Sequence, residues 1–75
     1  MNILHWTKRE RISTKQEQYS DVSLFKVPFS GVYNKTEMEL VLNEKFGKPH
    51  LVIFRVKEKI DDKNVLIESR YSIGD

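Results

Sequence analysis

From residue 34 to 47 the chain reads "NKTEMELVLNEKFG", and Met38, Val41, Leu42 and Phe46 recur at helical spacing on one face. Asn34 and Thr36 are each followed three residues later by a glutamate, Glu37 or Glu39, the spacing a capping box requires. Glu37 and Glu39 sit at the positive end of the helix dipole and Lys45 at the negative end. Gly47 is a natural stop residue, and Pro49 cannot continue the helix. The pattern predicts an amphipathic helix over 34–47.

Past Pro49 the period falls to two. "LVIFRVKEKIDDKNVLIESRYSI", residues 51–73, reads as a hairpin with "DDKN" (61–64) as its connection. Pairing Ile60 with Val65 sets Val52, Phe54, Val56 and Glu58 opposite Ile73, Tyr71, Ser69 and Ile67 and gathers nearly every apolar residue on one face. A bulge at Asn64 would shift this register by one residue. The opposite face carries Arg55, Lys57, Lys59, Glu68 and Arg70, with Leu51, Ile53 and Leu66 among them.

Upstream, "DVSLFKVPF" (21–29) reads as a strand with Val22, Leu24 and Lys26 on one face and Phe25 and Val27 on the other. Pro28 is expected to end it or to confine it to an edge. "NILHWT" (2–7) suggests a further short strand. Residues 8–20, "KRERISTKQEQYS", hold only Ile12 and Tyr19 as apolar anchors and read as a loop, a frayed helix or a mobile arm. The expected order is (β)β-α-β-β. It implies one α+β domain over residues 1–75, a small antiparallel sheet of three to four strands with one helix packed across it.

Composition narrows the setting. The chain has 75 residues, 39% hydrophobic and 32% charged, and no cysteine. Folding of a chain this short buries roughly 60% of its unfolded surface, so the core is thin, and neither disulfides nor thiolate metal sites reinforce it. The first residues lack the basic-then-apolar order of a secretory leader, and no apolar run approaches the ~20 residues of a membrane span. A reducing, cytoplasmic location without membrane contact is the expectation.

Candidate chemistry is sparse. His5 and His50 lie 45 residues apart with no metal-ligand spacing. Asp61 and Asp62 look like the start of a calcium loop, but its sixth position would be Leu66 rather than glycine, so turn chemistry accounts for them. Ser30-Gly31 has no nucleophile-elbow context, and Gly31, Gly47 and Gly74 are too scattered to cradle a phosphate. A domain this small is also expected to lack a pocket of several hundred cubic ångströms. These points imply a protein that is not an enzyme and uses neither cofactor nor metal.

Charge leaves two binding surfaces to weigh. The net charge is +2, residues 1–15 contribute +3, and residues 50–75 balance five bases with five acids. The hairpin's outward face alone, with four cations against Glu68, would give a weak field. Apolar residues ringed by cations suit a protein interface better than a phosphate groove. The first expectation is therefore a protein-binding surface of Leu51, Ile53, Arg55, Lys57, Leu66 and Arg70, or a sheet edge, facing an acidic host or cellular protein or a second copy of the chain. By analogy of size and build alone, phage and mobile-element accessory proteins that inhibit a host macromolecule come to mind. The second expectation is nucleic-acid binding by Trp6, Lys8, Arg9, Arg11 and Lys15, an aromatic beside a cationic arm. Against it stands the plainer reading that Trp6 closes one end of the core and the bases are merely solvated.

Overall fold

The computed structural model describes residues 3–73. Five strands and one helix follow in the order β1 (Ile3–Leu4), β2 (Glu10–Gln16), β3 (Ser20–Ser30), α1 (Lys35–Lys45), β4 (Val52–Asp61) and β5 (Asn64–Ser72), with a 3-10 turn at Trp6–Lys8. All pairings are antiparallel. The architecture is α+β, a mostly antiparallel sheet with one helix, as the periodicities imply, but with five strands rather than three or four. Asn2, at the start of the strand expected over 2–7, and Gly74 lie outside the described residues.

β3 is the centre of the sheet. β5 runs along its whole length on one edge, from Ser20↔Ser72 to Pro28↔Asn64, and β4 completes that side. The other edge is shared: β2 pairs with residues 21–26 of β3 and β1 with Phe29 and Ser30. Pro28 thus sits inside a central strand, contrary to the expectation that it would end one. The Phe29 N–H points to β5, donating to Lys63 O at 2.8 Å, so ladder alternation turns position 28 the other way. There the missing donor meets the gap between β1 and β2, and the Pro28 carbonyl still accepts the His5 N–H at 2.9 Å.

Phe25, Val27, Phe29, Val65, Ile67, Phe54 and Val56 line the face beneath α1, whose Met38 and Leu42 are buried against them. Each such side chain removed from water contributes about 1.5–3 kcal/mol. Asn34 caps the helix, its Oδ1 accepting the Glu37 N–H at 3.0 Å. Val41 is only half-buried, and Phe46 remains 44% exposed while its ring rests on Trp6 at 5.9 Å between centroids. The stop at Gly47 does not come from a left-handed backbone. A Cβ there would lie 2.6 Å from the Asn43 carbonyl oxygen, so close approach demands the glycine. The left-handed position is His50, with φ 66°, in the turn where the Leu51 N–H returns to Lys48 O at 2.9 Å.

The hairpin register differs from the expected one. Phe54 faces Ser69 and Val56 faces Ile67, two residues from the expected partners. Bulges at Lys57 and Ile60 account for the slip, one extra residue each. Because the side-chain period is two, the slip keeps Phe54 and Val56 on the core face, but it leaves Ile60, Tyr71 and Ile73 exposed at 44%, 51% and 42%. Glu68 lies opposite Arg55 rather than opposite Lys57, where the expected register would place it. The turn itself follows the local chemistry: Asp61 Oδ1 accepts the Lys63 N–H at 2.8 Å and is also bonded by Asn64 Nδ2 at 3.1 Å.

Residues 8–20, expected to be a loop, a frayed helix or a mobile arm, include the whole of β2. Every residue of β2 is exposed, so it buries no apolar stripe and leaves no alternation to read.

Candidate functional site

One face of the sheet carries α1; among the described residues the other carries no second layer. Register builds the open face as three rows across β2, β3, β5 and β4. The first holds Lys15, Val22, Arg70 and Ile53; the second Ser13, Leu24, Glu68 and Arg55; the third Glu10, Lys26, Leu66 and Glu58. Val22, Leu24 and Leu66 are half-buried under neighbouring charged stems, whereas Ile53 is 46% and Leu51 48% exposed. Leu51 extends the ladder beyond the first row, its carbonyl accepting the Ser72 N–H at 2.8 Å.

Of the surface expected from sequence, Ile53, Arg55, Leu66 and Arg70 share this face. Lys57 is displaced by its bulge and, with Lys35, Glu39, Arg55 and Val56, lines a recess of about 390 Å³ beside the first turn of α1. Arg70 is partly engaged already: its Nη1 donates to Glu17 Oε1 at 2.8 Å and to Ser20 Oγ at 3.0 Å. The bonded Glu17 carboxylate makes the guanidinium hold its proton more firmly than usual. Sequence reasoning missed the contributions of β2 and β3. Val22 and Leu24 were visible as one face of a strand, but nothing in the local pattern says that β3 lies beside β5.

Both outer edges of the sheet are guarded. Along β4, Asn43 of α1 donates Nδ2 to Phe54 O at 3.0 Å and accepts the Phe54 N–H at 2.9 Å, and Glu39 Oε1 accepts the Val56 N–H at 2.9 Å. Beyond Val56 the two bulges interrupt that edge. Along β2, a bulge at Ile12 and the charges of Glu10, Arg11 and Lys15 have the same effect.

The N-terminal cluster is divided between faces. Trp6 is half-buried, edge-on to Phe25 and Phe54 at 5.3 and 5.2 Å between centroids. Arg9 lies 4.7 Å over the Trp6 ring and Arg11 5.5 Å over Phe25. Lys8 is exposed in the 3-10 turn, and Lys15, paired with Val22, points to the open face.

A groove of about 530 Å³ runs between the β1–Trp6 segment and the C-terminal half of α1, lined by Ile3, Leu4, Trp6, Val41 and Phe46 among others. It corrects the expectation that so small a domain leaves no such volume. Ile3 and Phe46, 51% and 44% exposed, both line it. His5 Nε2 is bonded to Ser30 Oγ at 3.0 Å. Among the described residues, no three His, Asp or Glu side chains converge as a metal site, and no helix is long and apolar enough to cross a membrane.

Compared with known families, curated proteins and solved structures, the chain has no match.

Proposed function

We propose that this protein is a non-enzymatic binding module of the reducing cytoplasm, and that its open sheet face engages another protein. The observation that carries this reading is the contrast between a face without a second layer and edges that are both closed. Closed edges argue against strand addition, whereas half-buried aliphatic residues within a charged frame match the composition of protein interfaces. A module of this size acts by occupying its partner's surface, which suits an inhibitor, the analogy that size and build suggest.

The nucleic-acid reading draws less support. Single-strand readers present aromatic rings for stacking beside cations, and here the Trp6 ring packs on three Phe rings and beneath Arg9. Lys15 also lies on the face opposite Arg11.

The test compares two variants in cells that express the protein naturally. Ile53→Glu with Arg55→Glu alters the open face, and Phe46→Ser alters the groove. A partner cross-linked to the wild type should persist with the groove variant and disappear with the face variant. A partner that ignores the face variant and is lost with Phe46→Ser would overturn the proposal in favour of the groove.

A further inference from the structure

We infer that the protein covering the open face is a second copy of this chain, in a two-fold dimer whose sheets stack face to face with the axis perpendicular to the strands. This rests on the reading of the face as a protein-binding surface and goes beyond it by naming the occupant.

The argument begins with the polarity of charge along the strands. The first row carries Lys15 and Arg70, the latter bonded to Glu17 beside it, and the third carries Glu10 and Glu58 with one base, Lys26. Within one chain these rows cannot pair, because two steps of two residues at about 3.4 Å per residue place them about 14 Å apart. A two-fold axis along the middle row lays the first row of one copy over the third row of the other. Lys15 then meets the partner's Glu10, and the stems of Arg70 and Lys26 cover the partner's Leu66 and Val22. Leu24 of each copy meets its equivalent near the axis. Arg55 and Glu68 also meet their equivalents along the axis, each like-charged contact offset by the opposite charge beside it in its own row. A two-fold axis parallel to the strands instead places Glu10 over Glu58, like charge on like. Of the two symmetric stackings only the first sets Lys15 against an acid, and the charge pattern selects it on that pair.

Area is consistent with this occupant. The molecule spans 39 × 23 × 18 Å, and the open sheet is its broad side. A standard interface needs about 800 Å² from each partner, which that face can supply. Stacking also gives the half-buried Val22, Leu24 and Leu66 the second layer that sheet packing normally provides.

Sedimentation equilibrium over a range of concentrations and salt tests the inference. The wild type should form a dimer that weakens as salt rises. Lys15→Glu and Glu10→Lys, both on the exposed edge strand, should each raise the dissociation constant about tenfold or more. The combined swap should recover most of the loss, since the pair re-forms across the two-fold. A chain monomeric at every concentration, or a dimer indifferent to both single swaps, overturns the inference, as does a combined swap no better than either alone. A monomer whose natural partner is still lost through Ile53→Glu with Arg55→Glu refutes the dimer alone. A dimer abolished by Phe46→Ser but not by the face substitutions refutes both readings.

Discussion

The side chain of Asn43 pairs with the backbone of Phe54 as a neighbouring strand would, donating to its carbonyl at 3.0 Å and accepting its N–H at 2.9 Å. One amide on α1 therefore satisfies the edge of β4, and Glu39 does the same one turn earlier for the Val56 N–H at 2.9 Å. These bonds fix where the helix sits along the strand, something apolar packing alone leaves loose.

Replacing Asn43 by Leu removes both bonds, and the one its Nδ2 donates to Glu39 O at 2.9 Å, while keeping the number of side-chain heavy atoms. The Phe54 backbone groups are then left unpaired in a partly buried place, at a cost of about 1–3 kcal/mol. Asn43→Asp should also destabilise at neutral pH, because a carboxylate faces the Phe54 carbonyl. Urea unfolding monitored by Trp6 fluorescence measures both; a Leu variant as stable as the wild type would remove the helix–edge pairing from the account.

Gly47→Ala is expected to destabilise by about 1–3 kcal/mol, the range for steric overpacking. Its Cβ would fall 2.6 Å from the Asn43 carbonyl oxygen and 3.0 Å from the Asn43 Cα, both backbone atoms that cannot rotate away. Because the displaced residue is Asn43, the costs of Gly47→Ala and Asn43→Leu should fail to add in a double-mutant cycle. Strict additivity would show that the helix end yields without disturbing the edge.

His50 holds φ 66° in the turn after α1, a conformation costing about 1–2 kcal/mol for most L-residues. Glycine relieves that strain but loses more chain entropy on folding, so His50→Gly should gain about 0.5 kcal/mol. His50→Val should lose stability, because a β-branched side chain tolerates positive φ less well than histidine does. Both appear as shifts in the urea midpoint with an unchanged slope.

Asp61 gives an acid limb to stability. The Lys63 backbone N–H first, then the Asn64 side chain, hold its carboxyl below the ordinary 3.8. A depressed folded value means the contribution is complete above the ordinary value and is lost as pH falls below it through the folded one. Asp61→Asn keeps an acceptor oxygen for the turn but does not titrate. The stability difference between wild type and variant should therefore shift in the variant's favour from pH 5 to pH 2, as thermal melts at stepped pH would show. A constant difference would mean that the turn does not depend on the charge.

What could be read from sequence was what is local. Asn34 and Asp61 act on residues two or three positions away, and their roles were visible in the string. Register was not, because a slip of two residues exchanges Ser69 for Tyr71 opposite Phe54 without moving a side chain to the other face. β2 was missed because a strand exposed on both sides buries nothing periodic. Trp6 lacked a place until Phe25 and Phe54, far apart in sequence, were brought to either side of it. The open face was half legible: Ile53, Arg55, Leu66 and Arg70 lie on one hairpin, but Val22, Leu24 and Lys15 join them only through the β3–β5 ladder.

That ladder has a consequence for how the chain reaches its fold. The β2–β3 and β4–β5 hairpins each close a short loop and can form independently, but neither buries a core. The contacts that unite them join residues 36 apart at Pro28↔Asn64 and 52 apart at Ser20↔Ser72. Closing such long segments costs entropy before any burial repays it, so the docking of hairpin on hairpin is the expected rate-limiting event. By gripping β4 through Asn43 and Glu39, α1 shortens the slack segment between β3 and β5. Its side chains then bear on the speed of folding as well as on the shape of the result.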